Sequence, residues 1–111
     1  MKEMLDLIRR AMKLKESNFD DLMNSDPIAA HYIHGELEVL DYIIDNSLVP
    51  SEIADKLQVM YENAVQKFRN LEIIENYGDV MAGELMGAAD VLAWILDIPK
   101  DVHNKAKGIN D

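Results

Sequence analysis

From Ile53 onward the residues Ile53, Leu57, Met60, Ala64, Phe68, Leu71 and Ile74 follow one another at steps of 4, 3, 4, 4, 3 and 3. That is the period of an α-helix with one buried stripe, sustained for about seven turns. No stretch of the chain alternates apolar and polar residues with period two, so a sheet is not expected. Helices must then bury their stripes against one another, and this constrains everything else.

The remaining segments read the same way. Met4, Leu5, Ile8, Ala11, Met12 and Lys15 predict an amphipathic helix over about residues 2–16. Ser17 with Asp20 can cap a short turn through Phe19, Leu22 and Met23. Asp26 as N-cap and Pro27 at the first helical position start a second main helix that runs to about Asp45. Its expected core stripe is Ile33, Leu37, Leu40 and Ile44. Asn46-Ser47 ends it, and Pro50 opens the long third helix, which Asn76-Tyr-Gly78 terminates. Asp79 is expected to cap a fourth helix over residues 80–97, with Leu85, Ala89, Leu92 and Leu96 inward, before Pro99 and a short basic tail. The predicted fold is all-α: a compact bundle of four main helices plus a short N-terminal helical turn and a short C-terminal helical tail. With 111 residues, 49% of them hydrophobic, residues 1–111 form one domain.

Two of these helices echo each other. Gly35-Glu-Leu-Glu-Val-Leu-Asp-Tyr-Ile-Ile-Asp45 aligns without a gap on Gly87-Ala-Ala-Asp-Val-Leu-Ala-Trp-Ile-Leu-Asp97, 52 residues later, with five of eleven positions identical. Each copy carries a stripe of small residue, acid, aromatic, acid: Gly35, Glu38, Tyr42, Asp45, and Gly87, Asp90, Trp94, Asp97. Glycine within a helix costs roughly 1 kcal/mol against alanine, so the matched pair, with Gly83 one turn earlier, marks a close approach. That approach is either a crossing of the two helices or a surface for dimerisation or a basic partner.

Charge is unevenly placed. Residues 1–18 carry five Lys/Arg, whereas the stretch between Lys15 and Lys56 has none and holds ten Asp/Glu, within a net charge of −10. Such a field repels phosphate backbones and attracts basic proteins or cations. The absence of cysteine excludes disulfides, thiolate zinc sites and Cys nucleophiles. Ser17, Ser25, Ser47 and Ser51 all stand near predicted helix ends, where serine is a capping residue. The most apolar stretch, Val80–Ile98, contains Glu84 and Asp90 and is too broken to span a bilayer. Charges also interrupt the first ten residues where a signal peptide would be apolar. The expectation is a cytoplasmic protein with no membrane partner.

Three sets of residues suggest chemistry. His31, His34, Glu38 and Asp41 lie along one side of the second helix, a possible stripe of metal ligands whose remaining ligands must come from elsewhere. Glu38-x-x-Asp41 and Glu72-x-x-Glu75 each place carboxylates one turn apart, as magnesium ligands on a bundle would be. Here the chain resembles the MazG-type all-helical nucleotide pyrophosphohydrolases: Glu72-Ile-Ile-Glu75 matches that family's first motif and Gly87-Ala-Ala-Asp90 is similar to its second. The resemblance implies Mg²⁺ as cofactor and a nucleoside triphosphate as substrate, but Gly87 stands where a ligand Glu belongs. Finally, residues 51–71 resemble a helix-turn-helix, with Gln58 where glycine is favoured at the turn and Met60 where a cap is wanted. Asn63, Gln66, Lys67 and Arg69 would face DNA.

The leading expectation is a small, acidic, non-catalytic regulatory protein with no cofactor. It would bind a protein with a basic surface, or a second copy of itself, through Glu38, Tyr42, Asp45, Asp90, Trp94 and Asp97, with Gly35, Gly83 and Gly87 giving close helix packing. In size and charge it resembles helical proteins encoded by phages and mobile elements. The alternatives are a DNA-binding regulator and a degenerate metal-dependent pyrophosphohydrolase.

Overall fold

A computed structural model describes residues 1–17, 19–71 and 78–108 of the chain. They form α1 (Met4–Lys15), α2 (Phe19–Ser25), α3 (Pro27–Asp45), a 3-10 turn (Pro50–Ile53), α4 (Ala54–Leu71), α5 (Gly78–Ile95) and α6 (Lys100–Ala106), with no strand among the described residues. The fold is thus the expected all-helical bundle. The start of α3 is also as expected: the Asp26 carboxylate accepts the Ala29 amide at 3.2 Å, and Pro27 occupies the first turn.

The bounds of some elements differ from the sequence reading. Pro50 opens a 3-10 turn before α4 rather than an α-helix directly. α5 begins at Gly78, so Asp79 lies inside the helix instead of capping it, and the helix ends at Ile95. The predicted stop at 76–78 and the stripe residue Ile74 fall wholly or partly outside the described residues. α4 runs unbroken through Gln58, Val59 and Met60, so residues 51–71 contain no helix-turn-helix.

α5 is the central element. Ala89, Val91, Leu92, Ala93 and Ile95 are all buried, on nearly every side of the helix, and α3 and α4 supply its main walls. α3 buries Val39, Leu40 and Ile43 beside Gly35 and Glu36, rather than the expected Ile33, Leu37, Leu40 and Ile44. Its inward face is therefore rotated from the one the apolar spacing suggested, and Ile33, Leu37 and Ile44 are half-buried flanks. α4 contributes Leu57, Tyr61, Ala64, Val65 and Phe68, as its spacing foretold for Leu57, Ala64 and Phe68.

The glycines explain the rotation. A Cβ on Gly35 would overlap the Glu84 carbonyl, and a Cβ on Gly87 would overlap the Tyr32 carbonyl. Gly87 lies 52 residues after Gly35, and Glu84 lies 52 residues after Tyr32. The contact is therefore reciprocal: each copy of the echo inserts a backbone carbonyl into the other's glycine. Gly83 meets the Ile28 carbonyl in the same way, where an added Cβ would come within 2.9 Å. Pairings of Ile28 with Gly83, Tyr32 with Gly87 and Gly35 with Ala88 advance together, so α3 and α5 run in the same direction.

Both helices also end alike. Leu48 and Ser47 donate their amides to Ile43 and Ile44, each at 3.0 Å; Ile98 and Asp97 donate to Ala93 and Trp94 at 2.9 and 3.3 Å. Ser47 and Asp97 take positive φ, 52° and 55°, as this helix-ending motif requires. The gapless alignment paired Asp97 with Asp45, but in the fold its counterpart is Ser47.

Candidate functional site

The N-terminal helix shows what the acidic and aromatic stripes can do. Arg10 on α1 lies over the Trp94 ring, 4.7 Å from its centroid, and pairs with Glu36 at 3.0 Å. Lys15 pairs with Asp41 at 3.0 Å. Lys2 stands 5.5 Å from the Trp94 centroid, and both it and the terminal amine reach Asp97 at 2.5 Å. Those two donors hold the Asp97 carboxyl at about 2, below its ordinary value. Glu36 is only 3% exposed, and burial raises its proton affinity even though Arg10 opposes this. A basic helix is thus docked on a surface of carboxylates and one aromatic anchor.

The other aromatic is arranged similarly, with a side chain from α4 in place of α1. Tyr42 on α3 is half-buried, with Lys56 5.1 Å from its ring centroid and donating to its hydroxyl. Glu38 and Asp45, one turn to either side, are exposed. The six residues expected to bind a partner therefore divide: Glu38, Tyr42 and Asp45 stand on one face of α3, whereas Trp94 and Asp97 hold α1.

Asp90 belongs to an internal network. Tyr32 donates to its Oδ2 at 2.5 Å, while Lys107 Nζ and His103 Nε2 reach Oδ1 at 3.1 and 2.6 Å. On the far side of that ring, Nδ1 meets the Tyr61 hydroxyl at 2.7 Å. Burial alone would raise the Asp90 pKa, but the hydrogen bonds from Tyr32, His103 and Lys107 and the Lys107 charge outweigh it and hold it below the ordinary value. An ionised Asp90 accepts, so Nε2 carries a proton, and the Tyr61 hydroxyl completes the hydrogen bonding of the ring at Nδ1. Burial, then the neighbouring Asp90 carboxylate, raises Tyr32 and keeps its proton in place. His103 and Lys107 are 8% and 7% exposed, so α6 is pinned to the bundle through this carboxylate.

A third cluster forms where α3 and α5 cross. His34 Nδ1 is 3.3 Å from Glu84 Oε1 and 3.6 Å from Glu38 Oε1, and His31 Nδ1 is 3.8 Å from Glu84 Oε2. The three groups His34, Glu38 and Glu84 each offer a ligand atom within 4.8 Å of the others. Of the residues proposed as metal ligands, the fold unites His34 and Glu38 and brings His31 beside them. It sends Asp41 to Lys15 instead. Glu72 and Glu75 lie outside the described residues. Sequence spacing missed Glu84, because nothing in one helix says which acid on another will face it.

The same crossing bears on the pyrophosphohydrolase motif. Gly87 is buried against the Tyr32 backbone, so the ligand Glu that the motif requires there has no room. Two serines serve as helix-end donors to backbone: Ser17 Oγ donates to the Leu14 carbonyl and Ser25 Oγ to that of Asp21, the latter at 2.9 Å. Among the described residues no helix is long and apolar enough to cross a membrane. Comparisons with protein-family models, with curated proteins and with solved structures gave no match.

Proposed function

We propose that the protein is a non-catalytic binding protein whose α3 face, Glu38, Tyr42 and Asp45, takes a basic helical segment of a partner protein. The observation that carries this reading is the docking of α1. There a basic amphipathic helix packed on α3 reaches the Trp94 copy of the stripe, with Arg10 over the aromatic and Lys2 just before the helix on Asp97, while Lys15 pairs with Asp41 of α3. The Tyr42 copy offers the same chemistry on α3, with the exposed side chain of Lys56 over the ring and His34 beside Glu38. An incoming Arg can displace that lysine, since a guanidinium stacks on an aromatic face and pairs with carboxylates at the same time. The acidic field between Lys15 and Lys56 would speed the encounter and weaken it as salt rises.

A synthetic peptide of residues 1–17 is a defined probe for such a partner. Titrated into the full isotope-labelled chain, it should shift the amide resonances around Glu38, Tyr42 and Asp45, and Tyr42→Ala should weaken binding at least tenfold. Shifts confined to the Trp94 region would mean exchange with the resident α1 and would overturn the α3 assignment. A second copy of the chain could supply the same helix. In that case light scattering should show a concentration-dependent dimer that Tyr42→Ala dissociates.

A further inference from the structure

We propose that His34, Glu38 and Glu84, with His31 beside them, bind one divalent transition-metal ion of the zinc type. The argument begins with the backbone. His31, His34 and Glu38 recur at helical spacing on one side of α3. Gly35 admits the Glu84 carbonyl against its own Cα, which fixes Glu84 immediately across from that side. The Glu84 carboxylate consequently lies near both imidazoles, and His34, Glu38 and Glu84 converge from two rigid helices rather than from loops, with His31 at the edge of the group.

The spacing suits a small ion. Zinc bound at about 2.0–2.1 Å by nitrogen and oxygen in a tetrahedron holds its ligand atoms roughly 3.4 Å apart. His34 Nδ1 stands 3.3 and 3.6 Å from oxygens of Glu84 and Glu38, and the three ligand atoms lie within 4.8 Å of one another, so a modest movement closes them on a common centre. Two further observations suit a cation at this place. His31 Nδ1 is buried and makes no hydrogen bond, a state that native structures rarely leave unexplained. Glu38 and Glu84 also face one another as like charges. A dication between them would remove the repulsion and give His31 a partner.

The donor set favours a transition metal over magnesium or calcium. Those hard ions take six or more oxygens, whereas two imidazoles and two carboxylates suit zinc and its neighbours. A groove of about 480 Å³ lined by Glu38, Glu84, Lys67 and Asn70 opens beside the cluster, so solvent can reach it.

The test is a titration of the metal-free full chain with Zn²⁺ at pH 7, followed by calorimetry and by thermal unfolding. One equivalent should bind and raise the unfolding midpoint, and Co²⁺ in its place should show the visible bands of a low-coordinate site. Glu84→Gln and His34→Gln should each weaken Zn²⁺ binding at least tenfold, and His31→Gln by a smaller factor. Glu84→Gln relieves the repulsion with Glu38, so without metal it should unfold no lower than the wild type. Loss of zinc with that stability retained reads on ligation alone. If that variant does not fold, His34→Gln decides the matter. Absence of binding, or weak binding of several ions that Glu84→Gln leaves unchanged, would overturn the proposal.

Discussion

The two copies of the echoed segment share a sequence pattern and meet opposite fates. On α5 and just past its end the acids and the aromatic of the stripe are consumed: Asp90 ties Tyr32, His103 and Lys107 together, Trp94 lies under Arg10, and Asp97 gathers the amino terminus and Lys2. On α3 the corresponding Glu38 and Asp45 are exposed, Glu38 beside His34, and Tyr42 holds the single side chain of Lys56 rather than a helix. The difference is one of position. The second half of α5 is enclosed by its neighbours, so Asp90 and Trp94 find their partners within the chain. One side of α3 faces solvent, and the same residue types are left available there. A motif thus fixes which chemistry a helix carries, and its depth in the fold decides who receives it.

What the copies do share is the glycine crossing, and the largest expected effect of any substitution lies there. Gly35→Ala and Gly87→Ala each drive a methyl into a backbone carbonyl that no rotamer change can move. The clash should exceed the roughly 1 kcal/mol that alanine gains in helix propensity, for a net loss of about 2–3 kcal/mol each in denaturant unfolding. Gly83→Ala, where the added carbon would stop 2.9 Å from the Ile28 carbonyl, should cost less. If Gly35→Ala and Gly87→Ala differed widely, the crossing would not be the reciprocal contact described above.

The second break concerns Asp90, the acid that separates the two copies most sharply. Asp90→Asn should cost about 2 kcal/mol, because His103 and Lys107 lose their anion while solvent still reaches part of the site. The pH dependence gives the sign. Asp90 is held below its ordinary pKa when folded, so its contribution is complete above about pH 4 and is lost as pH falls through the folded value. The gap between wild type and Asp90→Asn should accordingly close under acid. A gap that stayed constant with pH would mean the carboxylate acts by shape rather than by charge.

Some of this was legible in the sequence, for physical reasons. The helices, the Asp26–Pro27 start and the glycine approach all follow from local rules that tertiary context seldom overrides. The rotation of α3 was not legible. Ile33/Leu37/Leu40/Ile44 and Val39/Leu40/Ile43 are overlapping apolar faces of one helix, and periodicity alone cannot choose between them. The choice was made by Gly35, which must face α5, and by the Arg10–Glu36 pair, which lets a charged residue go inward. The inward turn of His103 and Lys107 was equally hidden in a segment that reads as a basic tail. Its one trace was Asp90 itself, a carboxylate within the most apolar stretch and therefore in need of donors. The cluster at His34 was half visible: the α3 spacing was apparent, and Glu84 entered only with the crossing.

The smallest effect tests the two matching helix ends. Ser47 and Asp97 both carry positive φ, which disfavours any residue with a Cβ. Ser47→Gly should therefore stabilise the protein by about 0.5–1 kcal/mol, or several degrees in Tm for a chain of this size. Asp97→Gly relieves the same backbone strain but releases the terminal amine and Lys2 from their shared carboxylate. It should gain less than Ser47→Gly at low salt, and the two should converge as salt screens those exposed pairs. Equal gains at low salt would show that Asp97 does nothing for the N-terminal segment. The α5 end would then be a plain helix terminus like that of α3, and α1 would be held by Arg10 and Lys15 instead.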